Sequence, residues 1–342
     1  MSPVTGGVLA HGLPLGTRVK NLVLRLSPAD ASFERHGFPA QTSPCRTHLE
    51  SVIRTFVTGY NLALEVNDAG NLTRRLETSC PAPFLGFAYE GVGLRYALSD
   101  LLRPWSISQL AWFTKSVAPR YDFIAMVGAG FAVARVPLAR HRLRSFQDRL
   151  DPMTAWCVAD GYGFHQGFFH WRRFRSGRRA APRSLAPQNR ALFDAGVGRS
   201  FWWVWGAEPD AIAAAIRRFD ADRHPEMWTG IGTAIAYAGG GPADAASRLF
   251  ELSGRCQADL LVGIALAAHM RHKGGSAAQW THAVCADLLH ASVEDVSRLV
   301  ETELSGYLES WDGVERSLRD GCYLGLRGRL ARHFANDAVR AL

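Results

Sequence analysis

Lysine is scarce in this sequence, where it occurs only at positions 20, 115 and 273. Arginine therefore carries nearly all of the positive charge, and the formal net charge is +8. Abundant arginine together with abundant alanine and glycine is typical of a GC-rich genome. The positive net charge is therefore weak evidence for a nucleic-acid partner. No regularly spaced aromatic residues of the kind that bind single strands accompany the arginines. We therefore predict no nucleic-acid partner.

Several signatures of metal and cofactor chemistry are missing as well. The six cysteines lie at positions 45, 80, 157, 256, 285 and 322, too far apart for a CxxC or zinc-ligand spacing. They are interpreted as buried, reduced thiols. No HExxH, DDxxD, GxSxG or Walker A motif occurs. The glycine spacing of residues 127–134 resembles the dinucleotide-binding motif of Rossmann folds. That motif requires a second strand further on, whereas Pro137 and a basic stretch follow here. We predict neither a metal nor a cofactor.

Long apolar runs are also absent. The longest candidate, residues 123–133, is too short to cross a bilayer and contains glycines. Residues 1–20 lack a charged segment followed by an apolar core, which argues against a signal peptide. These features predict a cytoplasmic protein that meets membranes only through a partner.

Charged residues make up 20% of the 342 residues and aromatic residues 11%, so apolar surface remains to line a cavity or an interface. The length favours about two domains. We predict an N-terminal helical region with an aromatic-glycine motif (1–171), an Arg-rich loop (172–187) and a C-terminal helical-hairpin region (188–342). The loop could meet an acyl-carrier protein, a phosphate or an anionic membrane, or be merely solvated.

Helical periodicity dominates the chain. Apolar residues recur at i, i+3 and i+4 along residues 46–66, whereas residues 67–83 have the composition of a loop. Further helices are predicted at 94–102, 107–117, 121–136, 138–150, 227–238, 243–253, 257–273 and 277–289. Ser292 and Asp295 form a capping box that opens another helix. Residues 230–240 and 263–275 resemble each other at an offset of about 33 residues. The predicted fold is mainly α, a multi-helix globular fold with a solenoid-like C-terminal half.

Residues 159–171 are the first candidate for chemistry. Three glycines in seven residues argue against a stable helix and for a bend that approaches a ligand. Asp160 is the candidate acid, and His165 its partner or a general base. The rings of Tyr162, Phe164 and Phe168 would bind substrate. The alternative is a buried turn in which Asp160 caps backbone amides and the rings are core.

Two further segments complete the predicted site. Arg199 precedes Trp202, Trp203 and Trp205, whose indole rings would wall a cavity suited to a polyene, a flat aromatic molecule or a carbocation. A packed helix–helix contact is the alternative.

Glu90 follows Tyr89 in an apolar segment, as a second carboxylic acid beside a ring that would bind substrate. The alternative is a glutamate placed at a helix N-terminus by the helix dipole.

Five motifs follow one another along the chain: FERHGF at 33–38, GFAYEG at 86–91, DGYGFH at 160–165, GVGRS at 196–200 and YAGG at 237–240. Their order resembles that of the UnbL-type family, a domain of unknown function (1702). The resemblance implies a role in actinobacterial enediyne or polyketide clusters, with UnbV-type and UnbU-type proteins as partners. Gln166 and residues 201–202 depart from the family pattern. The resemblance implies a pathway and partners but no reaction.

The residues favour a protein that binds an apolar, polyene-like small molecule in an aromatic pocket. Metal-independent acid–base cyclisation or isomerisation of a polyene or isoprenoid is the sharpest form of this hypothesis. A non-catalytic scaffold for pathway proteins, or a protein that sequesters the finished product, remains an alternative.

Overall fold

The computed structural model describes residues 24–311 and 313–340, and every regular element in these ranges is helical. The helices of eight or more residues are α1 Arg46–Glu65, α2 Ala69–Ser79, α3 Leu85–Leu102, α4 Gln109–Ser116, α5 Asp122–Arg135, α6 Cys157–Phe169, α7 Pro187–Val204, α8 Pro209–Ile216, α9 His224–Tyr237, α10 Ala245–Ser253, α11 Gln257–Lys273, α12 Gln279–Leu289, α13 Val293–Glu309 and α14 Glu315–Arg340. Shorter α-helical segments are Phe33–His36, Leu143–Gln147 and Trp171–Phe174. Turns of 3₁₀ helix are Pro28–Ala31, Ala82–Phe84, Pro119–Tyr121, Ala139–Arg142, Ala221–Arg223 and Gly254–Cys256.

Seven core helices, α1, α3, α5, α6, α7, α9 and α11, each pack on the next one along the chain. Neighbours run antiparallel: Gly59 of α1 lies against Ala88 of α3, whereas Gly91 of α3 lies against Phe56 of α1. The fold is thus a row of up-and-down helices joined by shorter elements.

A pair of glycines two residues apart marks each of the five middle helices of this row. The pairs are 91 and 93 in α3, 128 and 130 in α5, 161 and 163 in α6, 196 and 198 in α7, and 230 and 232 in α9. Residues two apart on an α-helix point about 200° apart, so each pair serves opposite flanks. The first glycine of each pair contacts the preceding helix and the second contacts the following one. The sequence comparison of 230–240 with 263–275 therefore detected only the end of a longer repeat.

The row curves back on itself. The imidazole Nε2 of His48, in α1, is 2.8 Å from the Ala238 carbonyl oxygen beyond α9. The indole of Trp203 in α7 donates to the Leu49 carbonyl of α1 at 3.3 Å. Because the first helix reaches elements late in the row, the inner faces of the core helices enclose a common interior.

The C-terminal helix α14 closes one side of the molecule through buried polar contacts. The Tyr323 hydroxyl donates to Glu226 of α9 at 2.8 Å, and the Arg327 guanidinium forms ion pairs with Glu226 at 3.0 Å and with Asp259 at 2.6 Å. These contacts fix α14 to both α9 and α11.

The mainly helical prediction is confirmed, and the C-terminal helices lie close to their predicted positions. The predicted helix start at Ser292 is confirmed, because the Asp295 amide donates to the Ser292 hydroxyl at 3.1 Å. The loop predicted at 67–83 is wrong: Asp68 caps helix α2 by accepting the Asn71 amide. The helix predicted over 138–150 is instead a 3₁₀ turn followed by one short helix, with Leu138 in a left-handed conformation.

The absence of a helix predicted for 159–171 is also wrong, because Cys157–Phe169 is helical. Each glycine of the motif lies where a neighbouring helix approaches. A Cβ added at Gly161 would lie 1.8 Å from the Val127 carbonyl oxygen, and one at Gly163 would lie 2.0 Å from that of Phe193. Close packing offsets the roughly 1 kcal/mol by which each glycine disfavours a helix.

All six cysteines are buried and free, as predicted. Helices α6 and α7, on either side of residues 172–187, pack directly on each other. Within the described ranges no single helix is long and apolar enough to cross a bilayer, and only a pair bent by 109°, Gln109–Ser116 with Pro119–Arg135, passes on length and composition. The signal-peptide interpretation concerns residues 1–20, which lie outside the described residues.

Candidate acid–base site

The residue before the first glycine of each pair borders the enclosed interior. In chain order these residues are Glu90, Val127, Asp160, Ala195 and Thr229. The repeat thus places two carboxylic acids at equivalent positions of α3 and α6, in an interior that is otherwise largely apolar.

Glu90 has fewer polar contacts than Asp160. Its helix begins at Leu85, so it lies in the second turn and not at the predicted N-terminus. The residue is 3% exposed, and its side chain makes no hydrogen bond or ion pair with any described residue. Glu90 lines a cavity of about 50 Å³, here called the Glu90 cavity. A carboxylic acid in this position is free to exchange a proton with a bound molecule.

Asp160 pairs with Arg199 of α7, not with His165. The Arg199 Nη2 is 2.6 Å from the Asp160 Oδ2, and both side chains are largely buried. The centre of the guanidinium lies 4.5 Å from the centroid of the Phe164 ring, and the Arg199 Nε has no hydrogen-bond partner among the described residues. Arg199 therefore retains donor capacity toward a further group in the interior.

Arg199 also lies between two cavities. It borders the Glu90 cavity and a second cavity of about 40 Å³, here called the Asp160 cavity. Phe87 and Trp203 border both cavities as well. One guanidinium thus faces one carboxylic acid on each side.

Burial governs the protonation of this group. The pKa of Glu90 is raised to about 7, chiefly by desolvation, with Arg199 opposing the rise and the nearby Asp160 adding to it. Desolvation also raises the pKa of Asp160, while the charge and hydrogen bond of Arg199 lower it. Glu90 consequently passes between its neutral and charged forms near neutral pH, the range in which a general acid or base is most effective.

Aromatic rings surround the Glu90 carboxyl group. Those that border its cavity are Phe56, Phe87, Phe131, Phe164, Phe168, Phe169 and Trp203. Phe164 stacks with Phe131 at 5.5 Å and meets Trp203 edge to face at 5.2 Å. Ring faces stabilise cationic centres. Each cavity has room for only a few water-sized molecules, so a larger ligand requires these rings to move.

The predicted site residues separate into two groups. Glu90, Asp160, Arg199, Phe164, Phe168 and Trp203 border the two cavities. Tyr89 points elsewhere and stacks on Tyr121 at 4.0 Å. The Trp202 indole donates to the Gly239 carbonyl at 2.9 Å, and Trp205 packs on Trp171.

His165 and Tyr162 lie on other faces of α6. The His165 ring centroid is 5.7 Å from that of Phe131 and 4.5 Å from that of Phe169. Its Nδ1 is buried without a hydrogen-bond partner, and burial together with Arg135 and His170 places its pKa well below the usual range. Tyr162 packs on Phe193 and borders a basic surface basin.

The sequence reasoning missed Phe56, Phe87, Phe131 and Arg135, which border the Glu90 cavity. Phe56, Phe87 and Phe131 each lie three or four residues from a glycine at a close helix contact, a signal visible only once the glycine repeat is recognised. Arg135 lies five residues from the nearest repeat glycine and lacks this signal. Among the described residues, no three His, Cys, Asp or Glu side chains cluster closely enough to hold a metal ion.

A family model described as "Protein of unknown function (DUF1702)" matches residues 16–334. The chain belongs to the DUF1702 family. No curated protein and no solved structure matches this DUF1702 protein. All five motifs of the sequence resemblance lie inside the matched region.

Proposed function

We propose that this DUF1702 protein is an acid–base catalyst that moves a proton to or from an apolar, unsaturated small molecule, as an isomerase or cyclase. The observation that carries this proposal is the position of Glu90, which is buried, lines a cavity together with several aromatic residues and makes no hydrogen bond with a described residue. A buried acid of this kind disfavours its charged form and is costly to retain for stability alone.

The residues take distinct roles in this proposal. Glu90 donates a proton to a carbon of the substrate, or removes one. Arg199, held by Asp160 at 2.6 Å, stabilises the Glu90 carboxylate whenever it is charged. The rings of Phe131, Phe164 and Trp203 face positive charge that develops on the substrate. Asp160 thus acts as the residue that positions Arg199, and Glu90 is the proton donor.

Proton exchange at carbon tests the proposal directly. The protein is incubated in D₂O with conjugated polyenes and prenyl diphosphates, and carbon-bound deuterium is measured by mass spectrometry. We expect incorporation by the wild type, a roughly hundredfold or greater loss in Glu90→Gln, and loss of turnover in Asp160→Ala. Glu226→Gln is the matched control, because Glu226 is buried but borders neither cavity. Equal activity of Glu90→Gln and wild type contradicts the proposal.

We further propose that the protein serves a polyketide or enediyne-type pathway in the cytoplasm, with UnbV-type and UnbU-type partners. The order of the five motifs supports the pathway. Six buried, unpaired thiols support a reducing compartment. Co-expression with such partners followed by affinity purification tests the association, and failure to recover a complex contradicts it.

An accessory, non-catalytic role is the second candidate, and an exposed apolar segment favours it. Trp105 is 82% exposed and Ile107 89%, with Leu102 and Trp112 also exposed nearby. Such a patch is typical of a protein-binding surface. If Trp105→Ser with Ile107→Ser abolishes complex formation and no proton exchange is seen with the protein alone, the accessory role is the better account.

A further inference from the structure

A basin of about 780 Å³ opens on the surface between the end of α5, helix α6 and residues 172–187. Six arginines line it: Arg135, Arg140, Arg173, Arg178, Arg179 and Arg183. The side chains of His141, His170 and Tyr162 join them, and the described residues that line the basin include no aspartate or glutamate. The basin therefore concentrates positive charge, and none of the described residues that line it supplies a carboxylate.

These six arginines differ from many others in the chain. None of them forms an ion pair with a described residue, whereas Arg223 pairs with Asp194 and Arg248 pairs with Asp210. Converging guanidinium groups repel one another and create a strong positive potential in a concave site. An anion bound in the basin removes this repulsion.

The wall formed by residues 172–187, which carries four of the six arginines, is held in place. Arg218 donates to the Arg175 carbonyl at 3.0 Å, and Arg223 donates to the Arg179 carbonyl at 2.9 Å. Leu185, near the end of the segment, is buried. The segment 172–187, expected from its composition to be a flexible loop, is thus anchored at several points. Fixing the backbone before binding lowers the entropy that a ligand must overcome.

The basin also adjoins the Glu90 cavity. Arg135 borders both, and the centre of its guanidinium lies 5.7 Å from the centroid of the Phe169 ring, which borders the cavity. His165 lies on the same path, since its ring is near Phe131 of the cavity and 6.1 Å from His170 of the basin. A charged site and an apolar site therefore meet at Arg135.

We infer that the arginine basin binds the phosphate groups of the substrate, a diphosphate ester whose apolar chain enters the Glu90 cavity. Guanidinium groups pair with phosphate oxygens through two parallel hydrogen bonds, and six of them match a diphosphate better than a single carboxylate. This inference rests on the proposed function, because it names the substrate class of the same site. It assigns the basin to recognition and the interior to proton transfer.

Isothermal titration calorimetry with inorganic diphosphate, farnesyl diphosphate and farnesol tests the inference. We expect diphosphate to bind the wild type and farnesyl diphosphate to bind about tenfold more tightly, because its chain is buried. A triple variant, Arg178→Gln with Arg179→Gln and Arg183→Gln, should raise the Kd of both phosphorylated probes roughly a hundredfold. Circular dichroism establishes that the variant is folded.

A second triple variant is the matched control, with Gln replacing Arg74, Arg103 and Arg120. These arginines are exposed, form no ion pair with a described residue and lie outside the basin, yet their removal changes the net charge equally. The control should bind diphosphate like the wild type. Equal weakening in both triple variants, or an oligonucleotide that competes as well as diphosphate at equal phosphate concentration, overturns the inference.

The outcomes also separate this inference from the proposed function. Glu90→Gln should bind inorganic diphosphate normally, because Glu90 does not border the basin. Diphosphate binding without Glu90-dependent deuterium incorporation contradicts only the proposed function. Glu90-dependent incorporation by a protein that binds no diphosphate contradicts only the basin assignment.

Discussion

Replacing Gly128 by alanine places a methyl carbon 1.8 Å from the Glu90 carbonyl oxygen on the facing helix. Contacts below 3.0 Å essentially never occur for a Cβ atom, and here the obstacle is backbone, not a flexible side chain. Helices α3 and α5 must therefore separate by more than 1 Å, as the difference between these two distances shows. Because α5 also packs on α6, the separation disturbs a second interface.

The size of the effect follows from two opposing contributions. Forcing an additional carbon into a close-packed contact costs about 3 kcal/mol. Alanine gains about 1 kcal/mol over glycine in a helix, so the net destabilisation is about 2 kcal/mol. For a chain of 342 residues this lowers Tm by ~3 °C, given an unfolding entropy of about 2.1 cal/mol/K per residue.

Gly70→Ala is the matched control for this measurement. Gly70 is exposed on α2, and the nearest atom to an added Cβ is 3.5 Å away. The same chemical change should here stabilise the protein by up to about 1 kcal/mol. Both variants are compared with the wild type by urea titration and thermal melting followed by circular dichroism. If Gly128→Ala is as stable as Gly70→Ala, the reasoning about close helix contacts is refuted.

Three further predictions concern buried charge. Arg271 is fully buried and donates to the carbonyls of Pro83, Ser276 and Tyr237. Replacing it by leucine should destabilise the protein by about 3 kcal/mol, because these carbonyls lose their donor. An unchanged Tm would contradict this. The pKa of Glu90 rises from 4.5 to about 7 on folding, so the native state keeps a proton that the unfolded state loses, and stability falls as pH rises through this window. The Glu90→Gln variant should lack this fall, so its free energy of unfolding should gain about 3 kcal/mol on that of the wild type between pH 4 and pH 8. Parallel pH profiles of the two proteins in urea titrations would refute this prediction. Arg199→Met leaves the carboxyl groups beside it without a cation. The substitution should lower the free energy of unfolding by about 3 kcal/mol or more at pH 8 but by less at pH 5, and the same titrations measure this difference.

The C-terminal helices could be predicted because local signals agree with the fold there. Glycines end helices, and Ser292 with Asp295 opens one, through interactions confined to a few neighbouring residues. Helix α6 could not be predicted in this way. Its glycines oppose a helix locally, and only the approach of α5 and α7 makes them necessary.

The sequence pointed to candidate residues for the site but not to their arrangement. Glu90 and Asp160 were singled out as acids in apolar surroundings and Arg199 as a residue that stacks on a ring, and the structure places the three near one another. Their pairing depends on which helix faces which in three dimensions, and residue types alone contain no such information. The spacing of Gly-x-Gly pairs along the chain, 33 to 37 residues between successive copies, was the available signal for that arrangement.

The packing of each core helix against its neighbours in the chain has a consequence for biogenesis. As the polypeptide leaves the ribosome, each newly made helix meets a partner synthesised only a few tens of residues earlier, so most contacts form between nearby segments and assembly is rapid. The contacts of His48 with Ala238 and of Trp203 with Leu49 are exceptions, since they span 190 and 154 residues. We therefore expect the interior to close late in folding, with Glu90 accessible to water until then.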